Sequence, residues 1–115
     1  TTLNENLSLD YTVTGNGEQL LAIGIPRHDN RRGACVVYDI TPSFLSSSAT
    51  VPPKHGSIIQ GGTTTEELGH AVALTPEGIL AVTSSPGNGG VVRIYEFDGE
   101  DWIETGRVAG GDPGP

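Results

Sequence analysis

The chain repeats its own pattern, and this internal repeat limits its fold more than any other feature of the sequence. Thr14 and Gly17 recur as Thr75 and Gly78, so the second copy follows the first at a spacing of 61 positions without a gap. An ordered set of matches at one spacing indicates a repeated supersecondary unit. The other pairs at this spacing are Thr2 and Thr63, Glu5 and Glu66, Leu7 and Leu68, and Val13 and Leu74.

The second copy is shorter than the first, and this difference helps to set the boundaries of the units. We place a two-residue deletion in its first turn, which aligns residues 21–23 with residues 80–82. Both copies end in a Gly-Gly doublet. We therefore assign residues 2–62 to the first unit and residues 63–111 to the second, and interpret residues 112–115 as the start of a further connection or a tail.

The composition favours β-structure. The 115 residues include 17 Gly and 8 Pro, which interrupt every segment that could otherwise keep the apolar spacing of an amphipathic helix. Alternating and continuous apolar runs predict four strands in each unit. They cover residues 9–14, 20–25, 35–40 and 55–60 in the first unit, and residues 70–75, 79–83, 91–97 and 103–108 in the second.

The second strand of each unit is apolar at nearly every position, which suits a strand that is covered on both sides. The fourth strands are more polar and suit a sheet edge. Four-stranded antiparallel sheets that stack face to face are the blades of a β-propeller. The predicted fold is therefore all-β, with two four-stranded antiparallel propeller blades that belong to a larger β-propeller.

Turn sequences separate these strands. Residues 15–17 (Gly-Asn-Gly) and 76–78 (Pro-Glu-Gly) contain the residue types that accept or preset turn geometry. Asp98-Gly99 predicts a two-residue hairpin in the second unit. In the first unit the corresponding link, residues 41–53, is longer and is predicted to be a surface loop, with a binding loop as the alternative.

The second unit contains the run LGHAVALTPEGILAVTSSP, which begins at Leu68. Leu-Gly precedes an apolar strand, Thr-Pro-Glu-Gly follows it as a turn, and Ser-Ser-Pro ends the next strand. These elements resemble the FG-GAP repeats of integrin-like β-propellers, and the resemblance covers nearly all of residues 2–111. The resemblance implies further blades, a secreted protein with an extracellular or luminal location, and protein interaction rather than catalysis.

The chain departs from that family at the loops that bind calcium in some of its members. Residues 27–32 contain one acidic residue among three Arg, and residues 87–89 contain none. Calcium takes about six to eight oxygen ligands, usually including several carboxylates. The sequence therefore predicts no calcium loop at these positions.

The histidines and serines form no recognised catalytic or metal-binding pattern. His28, His55 and His70 lie far apart in the sequence and have no Cys at ligand spacing, so their spacing predicts no zinc site. We expect His28 and His55 to be exposed and His70 to cap or line an inner strand. Ser57 lacks the Gly-x-Ser-x-Gly context of a hydrolase nucleophile.

Three further features have a structural interpretation and a functional alternative. Cys35, the only cysteine, lies on an apolar strand and is predicted to be buried and inert; a thiol activated by the neighbouring Arg31 and Arg32 is the alternative. Asn6 begins a glycosylation sequon, which matters only in a secreted chain. The acidic hairpin residues Asp98, Glu100 and Asp101 are predicted to be a solvated turn, with a weak cation contact as the alternative.

The charge balance excludes some classes of partner. The formal net charge is −8, with 14 acidic residues against 6 Lys and Arg, and no basic stripe is present. Nucleic acid is therefore not an expected partner. The apolar runs are far shorter than the roughly 20 residues of a membrane-spanning helix, so no membrane insertion is expected.

Together these features predict a non-enzymatic structural or protein-interaction module, with no catalytic residues, no cofactor and no metal ligands. The alternative is a lectin-like propeller that binds carbohydrate or another ligand, although one Trp and three Tyr offer few aromatic platforms. The expected partners are other protein chains or further blades of the same parent chain. An isolated monomer is not expected, because two blades alone would leave two apolar faces in water.

Overall fold

The computed structural model describes residues 7–41, 51–63, 66–84 and 90–109, which form two four-stranded antiparallel sheets. The all-β prediction is confirmed, and the sheets are open rather than closed into a barrel. Each sheet follows the order of the chain. The first contains β1 (Ser8–Val13), β2 (Gln19–Ile25), β3 (Ala34–Asp39) and β4 (Ile59–Gln60), and the second β5 (Val72–Leu74), β6 (Ile79–Thr83), β7 (Val91–Phe97) and β8 (Trp102–Ala109).

The eight strands lie where the sequence predicts them, but β4 and β5 are shorter than expected. β5 covers Val72–Leu74 rather than residues 70–75. Only Ile59 and Gln60 pair regularly with β3, whereas residues 55–60 were expected to do so. An isolated bridge between Tyr38 and Lys54 holds the chain beside β3 further upstream. The short α1 (His28–Arg31) lies in the loop between β2 and β3, and no helix in the described residues has the length and hydropathy of a membrane span.

The hairpin between β7 and β8 is longer than predicted. Phe97 pairs with Trp102, so the loop contains four residues, 98–101, rather than two. The Asp98 carboxylate accepts hydrogen bonds from the backbone N–H groups of Glu100 and Asp101, both at 2.8 Å. These bonds stabilise the longer loop, and the prediction of a two-residue hairpin is therefore wrong.

The first turn has the same length in both sheets. The N–H of Thr14 donates to the carbonyl of Glu18, and the N–H of Thr75 donates to the carbonyl of Ile79, both at 2.9 Å. Each Thr hydroxyl also accepts the N–H of the residue four positions later, at 3.2 and 3.1 Å. The 61-position spacing thus continues through the turn, and the two-residue deletion that we placed there is wrong.

The two sheets pack face to face along an interface that we call the seam. Two polar contacts cross it near β1. The Ser8 hydroxyl donates to the carbonyl of Gly69 at 2.8 Å, and the N–H of Leu74 donates to the Asp10 carboxylate at 2.7 Å. The buried core that fills the seam consists of Leu20, Ala22, Cys35, Val37, Ile59, Leu68, Leu74, Leu80, Val82, Tyr95 and Trp102.

Equivalent residues of the two units lie on opposite sides of their own sheets relative to the seam. Leu74 is in the core with 6% of its surface exposed, whereas Val13, its counterpart 61 positions earlier, points away from the second sheet and is 45% exposed. Conversely, Thr12 is buried and its counterpart Ala73 is exposed. The sheets are therefore related head to tail, rather than by a twofold axis that would bury the same positions in both.

This arrangement leaves both outer surfaces of the pair rich in apolar side chains. Residues that pair across antiparallel strands share a face, so the register identifies each surface. The first outer face, on β1 and β2, consists of Leu9, Tyr11, Val13, Leu21, Ile23 and Ile25. The second outer face, on β5 to β8, includes Ala73, Ile79, Ala81, Val92, Ile94, Ile103 and Val108.

A buried ion pair anchors the second sheet to the segment that precedes it. The guanidinium of Arg93, on β7, contacts the Glu66 carboxylate through Nε at 2.9 Å and Nη2 at 2.7 Å. Each side chain is only 10% exposed. The same carboxylate accepts the N–H of Gly62 at 2.6 Å, so one acidic group holds both ends of the turn that leads from the first sheet to the second.

Candidate functional site

The candidate site is a cavity of about 580 Å³ at the end of the seam where the turns of both sheets meet. Its walls are the β1–β2 turn, the segment around residues 54–56, the β5–β6 turn and the β7–β8 hairpin. Because the equivalent turns of the two units meet here, the cavity follows directly from the head-to-tail stacking of the sheets.

Aromatic rings form one wall of this cavity. The rings of His55 and Phe97 are stacked, with centroids 4.1 Å apart and an interplanar angle of 27°. Trp102 packs against Phe97 with a centroid separation of 5.1 Å, and its indole N–H donates to the carbonyl of His55 at 2.8 Å. The segment that carries His55 is therefore fixed to the second sheet by a ring stack and a hydrogen bond.

The acidic hairpin next to this wall has a structural role, in line with its prediction as a turn. The N–H and hydroxyl of Ser57 donate to the two carboxylate oxygens of Asp101, at 2.8 and 2.9 Å. Backbone hydrogen bonds from Ser57 and Trp102 hold the pKa of Asp101 below its usual value. Ser57 is thus a tether between the two sheets, and its hydroxyl is committed to a carboxylate.

Next to the aromatic wall, with which it shares His55, the fold brings together three polar side chains that are distant in the sequence. Ligand atoms of Glu18, Asp39 and His55 all lie within 4.8 Å of one another, and each side chain is partly buried. The Asp39 carboxylate also accepts hydrogen bonds from the N–H of Thr41, at 2.9 Å, and from its hydroxyl. Sequence spacing missed this cluster, because its members come from three different segments of the first unit.

The histidines have different surroundings from those expected. His55 was expected to be exposed but is half-buried, because its ring stacks on Phe97. His28 is also half-buried, with one ring nitrogen 3.5 Å from the Gln60 amide. His70, predicted to cap or line an inner strand, lies in the segment just before β5. Its ring contacts Glu67 at 3.1 Å, and this hydrogen bond lowers the pKa of that carboxyl.

The remaining sequence-predicted positions contribute little to the cavity. The loop after β2 contains a single carboxylate, Asp29, on a turn whose φ angles at Asp29 and Asn30 are 51° and 62°. Residues 87–89, the sequon residue Asn6 and most of the long link at 41–53 lie outside the described residues.

Cys35 lies in the core of the first sheet and is fully buried, as predicted. Burial raises the pKa of its thiol to about 12, because the thiolate would lose its hydration. The alternative of a thiol activated by Arg31 and Arg32 is not supported by this environment, since reactive cysteines have a lowered pKa and solvent access.

We therefore expect Cys35 to resist a disulfide reagent such as DTNB in the folded chain at pH 8 and to react at once in denaturant. The same raised pKa makes the free energy of unfolding depend on pH. Below about pH 8.5, the pKa of a thiol in the unfolded chain, Cys35 does not change this free energy. Above that pH the unfolded chain loses the thiol proton and the folded chain keeps it, so the free energy of unfolding falls. Rapid labelling of the folded chain, with a rate independent of denaturant, would contradict this expectation.

In comparisons with known proteins, no family model, curated protein or solved structure matches the chain.

Proposed function

We propose that the chain is a non-enzymatic stacking module, in which β-propeller repeats bind further sheets of the same kind through their outer faces. Those sheets belong to other protein chains or to further blades of the same parent chain. The FG-GAP resemblance of the sequence supports an extracellular or luminal setting for this proposal. The observation that carries it is the head-to-tail relation of the two sheets.

Equivalent residues show what the first outer face is suited to contact. Val13 is equivalent to Leu74, which packs against the face of the first sheet that lines the seam. Leu7 is equivalent to Leu68, which is fully buried at the seam, yet Leu7 itself is 55% exposed. In the first unit, the positions equivalent to those with which the second unit packs against a sheet are exposed to solvent. The matching partner is therefore another sheet, placed before the first unit as the first unit is placed before the second.

The second outer face supports the same conclusion from the other side. Ile79, Ile103 and Val108 are all exposed and lie on one surface of the second sheet. Burial of apolar area stabilises an interface by about 25 cal/mol per Å². Head-to-tail contacts continue indefinitely or close into a ring, because each bound unit presents a fresh face of the same kind.

A direct test uses charge on the first outer face. In the variant Leu9→Lys/Val13→Lys, two exposed apolar side chains become cationic without loss of any core contact in the isolated pair of sheets. We expect the parent chain to be multimeric in light scattering at micromolar concentration, and we expect the variant to associate at least about tenfold more weakly, because an ammonium group resists burial.

The matched control is Glu100→Lys, which raises the net charge by the same two units at an exposed position of the β7–β8 hairpin, outside both outer faces. The control should associate like the parent chain. A parent chain that is a cooperatively folded monomer at these concentrations, or an equal loss of association in both variants, would contradict the proposal.

The alternative, a lectin-like binding function, is favoured only by the aromatic wall of the cavity. Phe97 and Trp102 lie at its edge, but Trp102 is buried and its indole N–H is already bonded to the carbonyl of His55. Sugar platforms require an exposed aromatic face, so this arrangement supports a structural role for the wall better than a carbohydrate site.

A further inference from the structure

The cluster of Glu18, Asp39 and His55 has features of a metal site that the stacking function does not explain. One imidazole nitrogen and two carboxylate oxygens lie within 4.8 Å of one another beside the 580 Å³ cavity. The three residues come from the β1–β2 turn, the end of β3 and the segment that precedes β4. A bound ion would therefore connect three segments of the first unit.

The backbone around each of the three side chains is already fixed. The N–H of Glu18 donates to the Thr14 hydroxyl at 3.2 Å. The N–H of Asp39 donates to the carbonyl of Pro53 at 2.9 Å, and that of His55 donates to the carbonyl of Val37 at 2.7 Å. The site thus needs only side-chain adjustment to close on an ion, rather than a change of fold.

Two of the side chains are also oriented by their neighbours. The Thr41 N–H and hydroxyl both donate to one oxygen of Asp39, so the other oxygen is the better candidate ligand. The Phe97 ring holds the imidazole of His55 by stacking. Hydrogen bonds and packing of this kind orient the ligands of metal sites and raise their affinity.

The donor set indicates which ions fit. Imidazole suits zinc and its first-row neighbours, whereas calcium takes about six to eight oxygen ligands. Zinc bonds of about 2.0–2.2 Å in a tetrahedral site place ligand atoms about 3.4 Å apart, so donor atoms that now lie within 4.8 Å of one another must approach by at most about 1.4 Å. Glu18 lies on an exposed turn, and rotation about its side-chain bonds can supply this movement.

We propose that Glu18, Asp39 and His55 bind a first-row divalent cation of the zinc class, with at least one coordination position open to the cavity. Three protein ligands leave a tetrahedral zinc ion one position for water or for an oxygen ligand of a bound partner. Lys54 also lines the cavity, and its long side chain is exposed and can turn into solvent when the cation binds.

The test is a calorimetric titration of the chain with Zn²⁺ alone, together with the variants Glu18→Gln and His55→Ala. We expect one Zn²⁺ per chain in the parent and a loss of affinity of at least about tenfold in each variant, because the removal of outer-shell partners alone costs that much. Thermal denaturation should show a Zn²⁺-dependent rise in Tm in the parent chain, since an ion that binds the folded state stabilises it. This rise should be lost in Glu18→Gln and His55→Ala.

The control variant is Glu77→Gln, which removes the same charge from the same cavity but from outside the cluster. It should retain the parent affinity within about twofold. Co²⁺ should also quench the fluorescence of Trp102, the only tryptophan, whose ring lies 6.0 Å from that of His55. This quenching should be lost in Glu18→Gln, which leaves the aromatic wall intact and so keeps the test valid if His55→Ala fails to fold.

Several results would overturn the proposal. No detectable Zn²⁺ binding by the folded parent chain would do so directly. An equal loss of affinity in Glu18→Gln and Glu77→Gln would show that the ion is held by the general negative charge of the chain. Calcium that competes with Zn²⁺ at equal concentration would show that the imidazole of His55 is not a ligand.

Discussion

Replacement of Glu66 by Ala is expected to lower the free energy of unfolding by about 3–5 kcal/mol, which is the typical cost of removing one partner from a buried ion pair. The substitution leaves the buried guanidinium of Arg93 with only the Glu104 carboxylate, at 4.0 Å, and it leaves the N–H of Gly62 without its acceptor. Urea denaturation followed by Trp102 fluorescence measures the change, and the midpoint should fall while the m-value stays constant.

Two controls separate the ion pair from general effects of charge. Arg32→Gln removes an exposed cation that pairs with Asp29, outside this network, and should cost about 1 kcal/mol or less, because solvent screens exposed pairs. The double variant Glu66→Leu/Arg93→Met removes both buried charges and should recover much of the stability that Glu66→Ala loses. Equal losses in Glu66→Ala and Arg32→Gln would contradict the assignment of a buried, anchoring pair.

Gly24→Ala is expected to destabilise the chain by about 3 kcal/mol, because overpacking at this position cannot be relieved by a side-chain rotation. A Cβ atom at residue 24 would overlap the carbonyl of Gly69 and the Ser8 hydroxyl, well inside the 3.0 Å that real Cβ contacts respect. The methyl group would therefore push the two sheets apart at the seam. Chemical denaturation measures the loss in stability.

Gly106→Ala is the matched control, since it adds the same methyl group to a strand glycine that has open space around its Cβ position. Its effect on the free energy of unfolding should stay within about 0.5 kcal/mol. If both alanine variants unfold at the same denaturant concentration, the close approach of Gly24 and Gly69 does not limit the packing of the sheets.

The strands were predictable from the sequence because their signals are local. The apolar run within Gln19–Ile25 and the β-branched and aromatic residues of Val91–Phe97 predict strands without any knowledge of tertiary contacts, and glycine-containing turns separate them. The length of the β7–β8 loop was not predictable from Asp98-Gly99 alone. Its four-residue form depends on the hydrogen bonds of the Asp98 side chain, which compete with the tighter turn.

The candidate site was less predictable, because it depends on register. Asp39 reaches the β1–β2 turn since it pairs with Leu20, the residue two positions after Glu18. His55 joins them because the bridge between Tyr38 and Lys54 holds its segment against β3. Glu18, Asp39 and His55 are too far apart in the sequence to form a short metal-binding motif. They come together only through the strand pairing of the folded chain, so motif spacing does not predict the cluster.

The head-to-tail relation has a consequence for how an array of these sheets gains stability. A third sheet added to either end covers one apolar face and exposes its own. An open row of any length therefore keeps two solvent-exposed apolar faces, one at each end. The sheet that closes a ring makes two contacts instead of one, and it therefore buries twice the area of each earlier addition. Loss of one sheet from a closed ring would expose both faces at once, which makes the number of units in the ring a property under strong thermodynamic control.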